Sequence, residues 1–332
     1  MSRRVQLIFF AIGLAFFAWL IMRTGPQTIL TQLARTGWVF IPIVLVYGVV
    51  YVTNTIAWRV IADASGRLSF WRAYAITVSS FAINYITPFV NLGGEPFKAA
   101  AATPYLGPAT SASSVVAFRI VHSLGQFIFW LLTLPIAYLL LPHTTTIMTL
   151  LVIAAAGLFL GAFLLVMLLR ARAVEPLLGA IANRLTAVPG VGRLARAIAT
   201  RRTALAEVDA GLAQLANERR GALAIALAFE VAGRFTAMYE YFLIAHAVGA
   251  PISYGAAVLI GGFSQLVLNI FFFVPFELGS REGGLYLIFQ LLGLSPALGV
   301  SAAIVTRLRE LAWIAIGLLL IWVTGERRSV AR

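Results

Sequence analysis

The 332-residue sequence has no cysteine, three histidines and only 12 acidic residues. Without cysteine there is no disulfide, no thiolate metal ligand and no cysteine nucleophile, and the redox compartment stays open. Charged residues make up 11% of the chain, against roughly 25% in an ordinary soluble domain, which excludes a soluble globular enzyme. No phosphate-binding loop is present, so ATP-driven transport by this chain alone is not expected. No HExxH pattern or His/Asp/Glu cluster points to a metal, and no Ser/His/Asp arrangement can be assigned. Neither a cofactor nor a catalytic residue is expected.

What the chain has is apolar length. Hydrophobic residues reach 61% and mean hydropathy is +0.93. At roughly 20 apolar residues per membrane helix this allows a polytopic membrane protein of about six to nine crossings. Uncharged stretches run Val5 to Met22, Thr36 to Trp58, Ala73 to Gly94, Ala99 to Phe118, Ile120 to Leu169, Tyr241 to Phe276 and Gly283 to Thr306. The first follows Arg3 and Arg4 without a small-residue cleavage site, so it reads as an uncleaved span rather than a signal peptide. Ile120 to Leu169 has twice the length of one span and is broken at Leu141-Pro142-His143-Thr144, which predicts a tight helical pair.

Residues 170–220 differ in kind, with nine arginines and the apolar residues Leu205, Val208, Leu212 and Leu215 at helical spacing. Two readings stand: an amphipathic helix on the membrane surface or on the bundle, or a solvated linker between halves 1–169 and 221–332. The positive-inside rule makes this segment, the N-terminus and the tail with Arg327, Arg328 and Arg332 cytoplasmic. Arg59, Arg67, Arg72 and Lys98 join that side, and Arg23 and Arg35 fall outside. The formal charge of +13 is thereby absorbed by topology and anionic inner-leaflet lipid, leaving no basic stripe for nucleic acid.

Parity then requires that one segment turn back. Thr87-Pro88-Phe89 running into Gly93-Gly94-Glu95 breaks a helix in mid-membrane, which predicts a re-entrant hairpin over residues 70–105. The construction recurs as Pro275-Phe276 followed by Glu282-Gly283-Gly284, within a second hairpin over 251–294. In each copy a glutamate lies seven residues after the proline, Glu95 and Glu282, and an arginine appears on the following span, Arg119 and Arg307. The expected fold is all-α, with about six full spans, two hairpins, cytoplasmic termini and two units of opposite orientation. That is the plan of many transporters.

Each charge at a helix centre costs around 2.5–3.5 kcal/mol on insertion scales, so Glu95, Arg119, Glu230, Arg234, Glu240, Glu277, Arg281, Glu282, Arg307, Arg309 and Glu310 need partners, water or a function. Glu230 with Arg234 and Arg307 with Glu310 stand one helical turn apart and can neutralise themselves as purely structural pairs. Glu95 and Glu282, on glycine-rich elbows with Gly93 and Gly94, are the better functional candidates. Arg119, His122 and Gln126 form a polar stripe suited to a phosphate, with His122 as a hydrogen-bonding helper rather than a metal ligand. Trp38, Trp58, Trp71 and Trp322 read as interfacial anchors.

Asn84-Tyr85-Ile86-Thr87-Pro88 leading to Gly93-Gly94-Glu95-Pro96-Phe97-Lys98, then Arg119, Pro275 to Gly284 and Arg307, resembles the lysylphosphatidylglycerol synthase transmembrane (flippase-like) family over nearly the whole chain. The resemblance implies movement of lipid between leaflets of the cell inner membrane. It does not carry over the aminoacyl-transferase activity, for which no soluble domain is present in this sequence. Some stand-alone members are associated with hopanoid pathways, so the lipid is left open.

The expected substrate is a membrane lipid bound by Glu95, Arg119, Arg281, Glu282, Arg307, Glu310, Gly93 and Gly94, the arginines meeting phosphate and the glutamates an amine or a proton. A homo-oligomer or a lipid-pathway enzyme is the expected partner. The competing reading is a non-transporting scaffold for a lipid, hopanoid or envelope-glycan enzyme, docked through residues 170–220. A lipid transferase would need a base and acceptor site that the sequence does not provide.

Overall fold

The computed structural model describes residues 22, 26–62, 66–86, 93–170, 176, 180, 202–271, 277 and 279–330. Nearly all of the expected first span, the turn at 87–92, most of the Arg-rich segment and Pro275-Phe276 lie outside the described residues. Regular structure among the described residues is entirely helical: α1 Pro26–Thr36, α2 Phe40–Ile61, α3 Phe70–Ile86, α4 Gly94–Leu106, α5 Pro108–Leu140, α6 Thr145–Arg170, α7 Arg202–Asn217, α8 Arg220–Ala247, α9 Tyr254–Ile270, α10 Ser280–Leu291 and α11 Pro296–Val330. A short 3-10 turn, Gly37–Val39, joins α1 to α2.

Among the described residues, four helical stretches are long and apolar enough to cross a bilayer: Ala34–Ile61, Pro108–Leu140, Thr145–Met167 and Arg220–Ala247. The last helix, α11, has 35 residues and contains the expected final span, with Arg307, Arg309 and Glu310 in its first half. Pro142 ends the long apolar run as expected, because proline cannot continue the helix that precedes it. Thr144 Oγ1 then accepts the Ile147 N–H at 3.3 Å to start α6.

Each of α3, α4, α9 and α10 is shorter. At 1.5 Å per residue the 17-residue α3 and α9 reach about 26 Å and the 13-residue α4 about 20 Å, less than the roughly 30 Å of a hydrocarbon core. They form sequential pairs. Gly94 at the start of α4 lies against Ser80 and Asn84 near the end of α3, while Arg72 at the start of α3 stacks 4.7 Å over the Tyr105 ring at the end of α4. The two helices are therefore antiparallel. Helix α10 begins in the same way against α9, with Gly284 beside Val267.

Two sets of helices, the units α2-α3-α4-α5 and α8-α9-α10-α11, each place two short helices between two longer ones, and the sets meet. Helix α3 of the first meets α11 of the second, Ser79 Oγ donating to the Gly317 carbonyl at 3.2 Å. Helix α9 of the second meets α5 of the first, the Trp130 indole donating to the Gly262 carbonyl at 3.0 Å. Tyr85 touches Glu310 while Ser79 touches Gly317, so α3 and α11 run oppositely. Because α4 runs against both α3 and α5, helices α3 and α5 are parallel, and α5 opposes its counterpart α11.

Between the units, α2 and α8 pack along their lengths. A Cβ on Gly233 would collide with Thr53, so the glycine permits the close approach. Arg219 donates to the Val60 and Ile61 carbonyls at 3.0 and 3.1 Å, capping carbonyls that a helix end leaves unsatisfied. The amphipathic α7 lies on the bundle: Val208, Leu212 and Leu215 are buried with Ala117, Val121 and Leu124 of α5.

Candidate functional site

The first elbow is held by Asn84, whose Oδ1 accepts the Gly94 N–H at 2.6 Å. That bond satisfies an otherwise free donor in the first turn of α4 and places Glu95 immediately after it. Glu95 Oε1 meets Arg119 of α5 at 3.4 Å, with the arginine side chain 49% exposed. In the second unit Glu282 accepts the Gly279 N–H at 2.9 Å and meets Arg307 of α11 at 2.8 Å. The matched spacings in the sequence are thus two matched ion pairs, each joining a short helix to the helix that follows.

Arg119, His122 and Gln126 share one face of α5, where α8 supplies partners for His122 and Gln126. His122 Nδ1 lies 2.6 Å from Glu230 Oε2. Arg234 donates to the His122 carbonyl at 2.7 Å and to Gln126 Oε1. The option of a self-neutralising Glu230–Arg234 pair is therefore not what organises these residues; both are spent on α5.

In the second unit the charges are more deeply enclosed. Arg281 joins Glu277 and reaches Glu310 at 2.8 Å, and Glu310 also accepts from Tyr85 of the first unit. Arg309 forms a two-pronged pair with Glu240 at 2.7 and 2.9 Å and stacks 3.4 Å over Tyr47. Arg307 and Glu310 do not neutralise one another: Arg307 binds Glu282 and the Glu277 carbonyl, and Glu310 binds Arg281. Such multiply bonded geometry is what lets buried charges offset their desolvation.

Two cavities adjoin the first cluster. One, of about 920 Å³, runs between α5, α6 and α9 and is lined chiefly by apolar residues, with Arg119, His122, Gln126 and Arg234 at its polar part. Its lining includes Leu150, Ile153 and Ile270, which are exposed at the surface. The second, of about 300 Å³, has a larger polar share than the first and lies between α2, α3, α4, α5 and α8, with Gln265 of α9. Asn84, Arg119, His122 and Arg234 line both. Of the expected site residues, Glu95, Arg119 and Gly94 border the smaller chamber, whereas Arg281, Glu282, Arg307 and Glu310 border neither of these two cavities.

Lys98 is the residue that charge counting misplaces. It is only 4% exposed, with its ammonium 4.1 and 4.0 Å from the Trp58 and Phe118 ring centres, a cation–π setting. No carboxylate among the described residues pairs with it. Its position, one turn after Glu95 and directly before an alanine run, was the available signal for burial. Trp58 is fully buried beneath it and is not an interfacial anchor, whereas Trp38 and Trp71 are exposed.

Among the described residues no group of three or more His, Asp or Glu can hold a metal ion. No curated protein and no solved structure matches the chain. The family model described as the lysylphosphatidylglycerol synthase TM region matches residues 6–318, and with the helical membrane spans and the two Glu–Arg elbows in place, the chain belongs to that family.

Proposed function

We propose that this membrane protein is a lipid translocase that moves an anionic or zwitterionic amphiphile between leaflets of the cell inner membrane, and that it is not an enzyme. The observation that carries this reading is the joining of an apolar groove of about 920 Å³ to a cationic end formed by Arg119 and Arg234. Acyl chains fit the first part and a phosphate the second. In this reading α3-α4 and α9-α10 are re-entrant hairpins of an inverted repeat, with N- and C-termini cytoplasmic. Irregular backbone at the elbows is tolerable in a membrane where it is enclosed by protein or lines a polar cavity, which the chamber beside Gly94 and Glu95 supports.

The lipid enters sideways past Leu150, Ile153 and Ile270. Its phosphate displaces Glu95 from Arg119, and the two units rock about the α2–α8 contact to present the headgroup to the other leaflet. The exposure of the Arg119 side chain suits it to exchange partners, while the enclosed Arg281–Glu310 and Arg309–Glu240 pairs suit the second unit to holding the fold together.

The test is transfer of a fluorescent phospholipid in proteoliposomes, read by quenching the outer leaflet. Wild type is expected to transfer lipid, and Arg119→Ala to slow transfer at least ten-fold. Equal transfer by the two removes Arg119 from the mechanism, and no transfer by wild type moves a scaffold role ahead.

A further inference from the structure

The smaller chamber holds more hydrogen-bonding capacity than a phosphate uses. Seven polar atoms in residues of its wall are buried without a hydrogen-bond partner: Tyr51 Oη, Thr77 Oγ1, Ser80 Oγ, Gln265 Oε1, Glu95 Oε2, Glu230 Oε1 and Arg234 Nε. Buried polar groups are normally satisfied, so a cluster of seven around one cavity is the signature of a wall shaped for a polar occupant. Three of them are hydroxyls, able both to donate and to accept, three are acceptors only, and Arg234 Nε is a donor only. That mixture suits the alternating O–H groups of a polyol better than it suits a bare ion.

Charge narrows the occupant further. The charged side chains lining the chamber are Lys98, Arg119 and Arg234 against Glu95 and Glu230, with His122 beside them. Counting His122 as neutral, one positive charge is in excess, which one phosphodiester anion cancels. An ammonium on the same headgroup would restore the excess and would face Lys98. Both carboxylates are already engaged through their other oxygen, Glu95 by the Arg119 guanidinium and Glu230 by His122 Nδ1, so the free oxygens are available to accept from hydroxyls. Tyr47, Tyr51 and Phe81 add aromatic surface on one side. At about 30 Å³ per water of liquid volume, a chamber of about 300 Å³ has room for roughly ten non-hydrogen atoms, close to the size of one sugar ring.

We infer that the chamber is a headgroup site for an uncharged polyol the size of a single sugar ring, joined to its lipid through one phosphate. The phosphate sits at Arg119, where chamber and groove meet, and the polyol hydroxyls are read by Thr77, Ser80, Gln265 and the free oxygens of Glu95 and Glu230. This rests on the lipid-translocase reading and specifies its substrate class.

The test is competitive lipid retention by native mass spectrometry of the full chain in nanodiscs. The probes are a glycosyl-phosphate lipid, phosphatidylinositol, phosphatidylglycerol, phosphatidylethanolamine and phosphatidic acid. Wild type is expected to hold the glycosyl-phosphate lipid or phosphatidylinositol at least ten-fold over phosphatidylethanolamine and phosphatidic acid, with phosphatidylglycerol between. The near-isosteric Thr77→Val and Ser80→Ala are expected to erase that preference while lipid is still held, and Arg119→Ala to lose lipid of every kind. Phosphatidylethanolamine held as well as the polyol lipids, or phosphatidic acid held equally, overturns the inference and leaves translocation standing. Wild type that holds no probe above its share in the nanodisc overturns both. Because the headgroup ranking is read on wild type, a variant that fails to fold does not spoil the test.

Discussion

Arg119 and Arg307 occupy the same position, the twelfth, of two corresponding helices, and each reaches the glutamate at the start of the short helix before it: Glu95 at 3.4 Å and Glu282 at 2.8 Å. The equivalence is geometric, but the surroundings differ. The Arg119 side chain is half-exposed and borders two cavities, whereas that of Arg307 is only 5% exposed. One pair is placed to exchange partners and the other to hold.

Removing Glu240 leaves the Arg309 guanidinium buried without its two-pronged partner, and breaking a buried pair in this way costs about 3–5 kcal/mol. Glu240→Ala is expected to lower the thermal midpoint of the detergent-purified protein sharply, whereas Arg119→Ala, at an exposed pair worth about 0–1 kcal/mol, barely shifts it. Tryptophan fluorescence melts of both variants check the contrast, and equal shifts would contradict it.

The first elbow depends on one glycine more than the other. A Cβ on Gly94 would meet the Ser80 carbonyl oxygen and approach the Asn84 side chain to 2.7 Å, whereas Gly93 has φ −70° and ψ −28°, open to any residue. Gly94→Ala is expected to destabilise by about 1–3 kcal/mol, as overpacking does, and to impair transfer; Gly93→Ala should do neither through its backbone. Melting and transfer of the two variants side by side decide this.

Filling the groove separates transport from folding. A Cβ on Gly157 of α6 has nothing within 4 Å, and the residue lines the groove. Gly157→Phe is expected to leave the melting midpoint unchanged and to slow transfer at least ten-fold, by occupying acyl-chain space. Unchanged transfer would remove the groove from the lipid path.

The paired spacings behind the two Glu–Arg contacts are legible in the sequence because proline, glycine and an unpaired glutamate in apolar surroundings each carry a local meaning. Partners across the bundle are not. Nothing in the spacing of Arg307 and Glu310 distinguishes a pair with each other from separate pairs with Glu282 and Arg281, because the choice is made by which helices pack. Lys98 follows an acidic first turn in an otherwise apolar helix, and only the closeness of Trp58 and Phe118 reveals that it is buried. The chamber was invisible for a similar reason: Thr77, Ser80 and Gln265 are unremarked polar residues until α3 and α9 bring them to one cavity.

If the two units move against one another to carry lipid across, a reversible lock between them stops transport. The sequence has no cysteine of its own, and Thr133 of α5 faces Gly262 of α9 across the unit boundary, a Cβ on the glycine lying 3.3 Å from the threonine methyl. A Thr133→Cys, Gly262→Cys pair is therefore close enough for a disulfide to be attempted. In proteoliposomes oxidation is expected to stop transfer of fluorescent lipid, and reduction to restore it. Transfer continuing at the wild-type rate through a fully oxidised lock would contradict it.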